Sequence, residues 1–222
     1  MVQKRTFDKP TVFFGRHGET AWNTGDPETD RAKGIENDLP LTRKGHEEAI
    51  SNGKKLAPYA IAEIHASKML RSKQSVAHVA EATGAKVIED AALDPWDVGY
   101  LAGQLRKEIA DRVDYYISHP RREVPEGEPY GEYWKRITEA FARILKKAEG
   151  LEHEDGGYCA IDVNGHSDGT EAVTSWLDGS LPEAHTAQHS IKPGAILIFE
   201  KVGRSWKWDE WSGGASSERD EE

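Results

Sequence analysis

The chain has 222 residues, 37% of them hydrophobic and 31% charged, which suits one substantial domain with a well-solvated surface. A formal charge of -10 excludes a general nucleic-acid binder, which needs a positive face to displace counterions from phosphates, so an anion site must be a local basic pocket. No run is apolar enough for export or for a membrane span, and a lone Cys159 leaves no internal disulfide to form, so a cytoplasmic address without a membrane partner is expected.

Thr11-Val12-Phe13-Phe14 reads as a short strand buried on both faces, ended by Gly15 and followed at once by Arg16 and His17. Residues 24–37 turn polar, with Gly25, Pro27 and Gly34, and are expected to loop over the surface. Thr42 can cap a helix running to about Leu56 with Ala49, Ile50, Gly53 and Leu56 on one face. Residues 62–67 form the next strand, residues 69–83 a helix with Val76, Val79 and Ala80 inward and Gly84 at its end, and residues 86–89 a third strand. This alternation predicts an α/β fold, a three-layer sandwich with a mostly parallel central sheet flanked by helices.

After a loop with Pro95, Trp96, Gly99 and Gly103 come a helix at about 104–117, a turn-rich passage, and a long helix at 130–147 with Trp134, Ile137, Phe141, Ile144 and Leu145 on its apolar face. The block at about 104–150 is expected to form a helical partial lid. A fourth strand at 157–164, with Cys159 as a buried thiol, ends at Gly165-His166 and leads to a helix near 170–177. Residues 195–200 and 205–211 read as a C-terminal hairpin whose Trp206, Trp208 and Trp211 pack on the sheet. One domain over 1–211 and an acidic, disordered tail over 212–222 complete the reading.

Arg16 and His17, Arg71, Asp97 and His166 each follow one of the four strands, and in a parallel sheet those ends converge on one edge. Two Arg and two His in one pocket suit phosphoryl transfer through a covalent intermediate. Imidazole is nucleophilic near neutral pH, guanidinium forks match phosphate oxygens, and neither a metal nor another cofactor is called for. The remaining histidines, His185 and His189 among them, show no metal-ligand spacing.

The run Arg16-His17-Gly18-Glu19-Thr20 followed by Asn23, together with Ser67, Leu70, Arg71, Gln74 and Gly165-His166, resembles the motifs of the histidine phosphatase superfamily, which includes the phosphoglycerate mutases. The resemblance implies His17 as the phosphorylated nucleophile, Arg16, Asn23 and Arg71 as phosphate ligands, and His166 as a second pocket histidine. It departs in two places: Ser167 and Asp168 precede Gly169 after the second histidine, and Pro95 stands where many members carry an acidic Glu. Asp97 is the first choice for the proton donor in its place, because Trp96 and Val98 would reduce its solvation, with Asp94 second and Asp168 third. The expected activity is metal-independent hydrolysis of a phosphomonoester, on a small phosphorylated metabolite or a phosphoprotein. A cofactor-dependent phosphoglycerate mutase, for which Arg121-Arg122 would supply a second anion site, and a catalytically silent phospholigand-binding domain are the alternatives.

Overall fold

The computed structural model describes residues 3–35, 37–184 and 190–213; the expected tail from 214 onward, His185 and His189 lie outside them. Six strands, β1 (Thr11–Arg16), β2 (Ile61–Ala66), β3 (Lys86–Glu89), β4 (Ala160–Gly165), β5 (Ile196–Val202) and β6 (Ser205–Glu210), lie in one sheet in the order β3-β2-β4-β1-β5-β6. The first four are parallel, and the β5–β6 hairpin joins antiparallel at β1. Val12, Phe13 and Phe14 are wholly buried, as a central strand covered on both faces requires.

Helices α1 (Arg43–Leu56) and α2 (Leu70–Thr83) cover one face, where Phe13, Leu56, Ile64, Val76 and Val79 pack together. Helices α4 (Tyr130–Ala148) and α5 (Ser167–Leu177) cover the other around Phe14, Tyr133, Ile137 and Phe141, completing the three layers. Between α2 and α4 runs α3 (Arg106–Ser118), which buries only Ile109. Of the block read as a lid, α4 is therefore a core layer. The opening turn of α3 is laced instead to the 30–32 strip, through Arg106 N on Asp30 O at 2.9 Å and Ala32 N on Gln104 O at 3.0 Å. Among the described residues no helix is long and apolar enough to cross a membrane.

Local chemistry explains the helix ends. Thr42 Oγ1 accepts from Gly45 N at 3.1 Å, and Gly84 closes α2 at a φ of 76° that a side chain disfavours. Three expectations need correction. Ile50 is 39% exposed, because α1 packs through Gly45, Ala49, Asn52, Gly53 and Leu56, and Ile50 lies about a quarter-turn off that stripe. Cys159 is half-buried because β4 begins only at Ala160. The 24–37 stretch is not wholly superficial, since Ala32, Lys33 and Gly34 are buried by the pairing with 103–106.

The sheet also contains a carboxyl group, Asp162, which is 2% exposed and lies in register between Phe13 and Ile64. Burial pushes its pKa up from 3.8 to about 8. Over that interval the folded state holds a proton that the unfolded chain has released. This group's contribution to stability therefore falls as pH rises, by about 1.4 kcal/mol per pH unit, until it ionises in the fold as well. Denaturant unfolding from pH 4.5 to 8 should show Asp162→Asn gaining stability relative to the unaltered protein as pH rises. A constant difference between the two would contradict this assignment.

Candidate active site

The site forms where β1 and β4 end side by side. Arg16 is in register with Gly165, so the residues that follow, His17 and His166, leave the sheet together and their rings meet edge to face at 5.1 Å. His17 N donates to Gly165 O at 3.0 Å, which ties the two loops. The turn beyond His17 lies flush on the first turn of α1: a Cβ added to Gly18 would stand 2.3 Å from Gly45 O, and one added to Gly45 would stand 2.2 Å from Glu19 O. Glu19 fastens the same contact by accepting from Thr42 Oγ1 at 2.8 Å and from Lys44 Nζ at 2.6 Å.

Each imidazole is fixed by a different partner. His17 Nδ1 is 2.7 Å from Gly18 O, and since a carbonyl can only accept, the proton is on Nδ1 and the Nε2 lone pair is left for attack. Ser67 Oγ donates to the buried Asp94 Oδ1 at 2.8 Å, so it accepts from His166 Nε2 at 2.9 Å. The pocket atom left to His166 is Nδ1. Burial, then Arg71, then Lys33 and Arg16 hold the His17 pKa well below its usual value, and the same groups act on His166; both rings are neutral at physiological pH.

Several donors near them have no partner among the described residues. Arg71 is wholly buried; its Nη1 reaches Asn37 O at 3.3 Å and lies 3.9 Å from Asp38, while its Nε has no partner. Arg16 gives Nη1 to Ile191 O at 2.6 Å, and its Nε is likewise buried and unpartnered. Asn23 accepts through Oδ1 from Thr20 N at 2.6 Å and from Thr20 Oγ1 at 3.0 Å, which leaves its buried Nδ2 as a further free donor. Buried N–H groups without acceptors are costly, and those of Arg16 and Arg71, whose charges act on His17, are ones an anion could satisfy.

The acidic residues divide. Asp94 belongs to the Ser67 relay and also accepts from Lys68 N at 2.7 Å. Asp97 is half-buried; its Oδ1 accepts from Gly99 N at 3.1 Å within its own turn, while Trp96 and Val98 pack into the core. Asp168, in the first turn of α5, accepts from Trp96 N at 2.7 Å and from Gly169 N at 3.1 Å. Burial raises its pKa, and its charge acts on both Arg16 and Arg71. Arg136 clamps the intervening loop through the carbonyl oxygens of Asp94 at 3.0 Å and Pro95 at 3.2 Å.

The structure thus brings together Arg16, His17, Arg71 and His166, and holds Asn23 to Thr20 on the loop that follows His17. Arg31 instead donates to Gly103 O at 2.8 Å, holding the approach to α3. Arg121 and Arg122 are exposed beside a cleft of about 600 Å³ with Glu183. Sequence reading missed Lys33, the Ser67–Asp94 relay and the Arg136 clamp. Only Ser67 carried a signal, as part of the motif shared with Arg71.

The sequence matches the histidine phosphatase superfamily (branch 1) over residues 12–213. The chain belongs to this family. A probable phosphoglycerate mutase GpmB of Klebsiella pneumoniae is 31% identical over 144 residues, covering 63% of this chain and 65% of that protein, so the match spans under two thirds of the relative's length. Among solved structures, a mycobacterial glucosyl-3-phosphoglycerate phosphatase superposes with a TM-score of 0.73 at 19% identity, over 92% of this chain and 99% of its own. Bacillus stearothermophilus YhfR gives 0.74 at 21% identity, over 92% and 98%. These structures share the fold.

The Gly18–Gly45 contact is expected to be intolerant of any side chain. Gly18→Ala should lower stability by about 1–3 kcal/mol in chemical denaturation, because the atom it would meet is backbone and cannot swing aside. Unchanged stability would mean that the loop shifts at no cost.

Proposed function

We propose that the protein is a metal-independent phosphomonoester hydrolase that works through a phosphohistidine on His17. The observation that carries this reading is the neutral His17, with Nε2 free, in the field of Arg71 and Arg16, whose Nε groups, like Asn23 Nδ2 on the loop that follows His17, have no partner among the described residues. In the first step Nε2 attacks phosphorus and the ester P–O bond breaks with its electron pair going to the leaving oxygen, which takes a proton from a carboxylic acid. In the second, water attacks phosphorus, the N–P bond returns its pair to Nε2, and the carboxylate takes the proton from water. Arg16, Arg71 and Asn23 hold the equatorial oxygens. His166 contributes through Nδ1, which donates once the incoming dianion has raised its basicity.

For the proton donor the observations support Asp168 over the expected Asp97. Asp168 carries the raised pKa, lies in the field of both phosphate-binding arginines and is hydrogen-bonded to Trp96 N, one residue past the Pro95 that replaces the family's acidic residue. Asp97 turns onto Gly99. The substrate class is a small phosphorylated metabolite, in line with the mycobacterial glucosyl-3-phosphoglycerate phosphatase that shares the fold. The relatives named as probable phosphoglycerate mutases motivate the alternative of isomerisation.

Incubation with a ³²P-labelled phosphomonoester should leave acid-labile, base-stable phosphate on the protein and release inorganic phosphate, and His17→Ala should abolish both. Isomerisation of phosphoglycerate without phosphate release would select the mutase, and binding without turnover the silent domain. Leaving-group dependence identifies the acid. Asp168→Asn should slow alkyl phosphates by about 10²–10⁴-fold while affecting p-nitrophenyl phosphate far less, since that anion leaves without a proton. If Asp97→Asn shows this selectivity and Asp168→Asn does not, the donor is Asp97.

A further inference from the structure

Lys33 is the charged side chain least explained by the fold. It is 9% exposed, yet among the described residues its Nζ has a single hydrogen-bond partner, Thr20 Oγ1 at 3.3 Å, and no carboxylate within salt-bridge distance. The acid on its own strip, Asp30, is turned to Arg106 at 3.4 Å. A buried ammonium with one neutral partner is costly, and structural lysines of that kind are normally paired.

Its placement is at the reaction centre. Thr20 Oγ1, which accepts from Lys33, donates in turn to Asn23 Oδ1, so the ammonium lies one hydroxyl away from the side chain whose Nδ2 is unpartnered. Among the charges acting on His17 and on His166, Lys33 ranks ahead of Arg16. We infer that Lys33 is a further ligand of the phosphoryl group, a cation supplied by the 31–35 strip that the site recruits by proton uptake when the anion enters. This rests on the hydrolase reading above and adds to it a ligand that lies outside the motifs around His17, Arg71 and His166.

The charge balance around Lys33 gives the physical reason. The groups facing it are Arg16 and His17 at the end of β1, Arg71 on α2, Arg106 on α3, Asp30 on its own strip and His166 after β4. All but Asp30 are cationic or neutral, and together with burial they bring its pKa from 10.5 to about 6. At pH 7 the amine is thus largely neutral in the free site. A phosphoryl dianion reverses the sign of the local field and draws a proton onto Nζ, so full positive charge is present only when there is an anion to hold. The free protein then avoids burying three bare cations together.

The test uses the full chain, orthovanadate and inorganic phosphate as ligands, and p-nitrophenyl phosphate turnover. Lys33→Met keeps the apolar stem and removes the charge; it should weaken vanadate and phosphate binding by about tenfold to a hundredfold, the worth of a hydrogen bond to a charged group. Calorimetry at pH 7 in buffers of different ionisation enthalpy should show fewer protons taken up per phosphate bound than in the unaltered protein. Lys33→Arg should restore much of the affinity while still lacking that uptake, because a guanidinium is protonated beforehand. If both variants bind vanadate as the unaltered protein does, or if Lys33→Met loses stability but keeps affinity and proton uptake, Lys33 is structural and the inference fails. Should the unaltered protein neither bind vanadate nor turn over the ester, the hydrolase reading itself falls. Absence of proton uptake when the unaltered protein binds phosphate at pH 7 would overturn the inference even if a variant does not fold.

Discussion

Positive charge withheld from water and left without carboxylate partners is the constraint on which this structure turns. Each buried ion forfeits several kcal/mol of hydration, and proteins ordinarily recover it by pairing. Around His17 the pairing is withheld. Glu19 spends both oxygens on Thr42 and Lys44, Asp94 is occupied by Ser67 and Lys68 N, and Asp38 accepts from Leu70 N at 2.6 Å while lying 3.9 Å from Arg71. The acids near the pocket are therefore used to hold backbone and loops in place, and the Nε groups of Arg16 and Arg71 stay without a partner among the described residues. Burial and the same unbalanced field suppress protonation of both imidazoles, so the arrangement that would attract a phosphate also keeps the two rings neutral.

The two histidines are not equivalent, and the difference comes from backbone geometry. His17 gives its Nδ1 proton to the next carbonyl, a contact that needs only its own loop and exposes Nε2. His166 is held through Nε2 by a side chain from the far end of β2, itself fixed by an acid from the loop after β3. The second ring is thus oriented by two segments besides its own, whereas the first depends on its own loop alone.

Much of this was legible in the sequence. An apolar strand running into Arg16-His17, the Thr42 cap, the Gly84 stop and the apolar face of Trp134, Ile137 and Phe141 are local patterns, and all reappear in the structure. What failed to show were contacts made across the chain. Lys33 lies in a polar stretch whose composition signals a surface loop; it is buried only because residues 30–32 pair with the lead-in to α3, about seventy positions away. Ile50 errs in the opposite direction, since an apolar residue beside the packing stripe cannot be told from one within it when the neighbouring helix is unknown. Asp97 looked desolvated because its neighbours are apolar. Trp96 and Val98 do turn into the core, and that very turn leaves Asp97 half-exposed.

Pro95 in the loop after β3 has a structural consequence of its own. A proline cannot donate a backbone hydrogen bond, so the segment it occupies must be held through its carbonyls and through the residues on either side. Arg136 takes the carbonyls of Asp94 and Pro95, and Asp168 takes the next amide, at Trp96. The loop is thus held from α4 on one side and from the first turn of α5 on the other. That second anchor is itself a carboxyl group with a raised pKa, directly beyond the pocket histidine. Under the proposed mechanism this one residue would both fix the loop in the resting site and supply the proton when a leaving oxygen arrives. On that proposal the donor sits in the first turn of the helix that follows His166, so the pocket histidine and the acid share one rigid element.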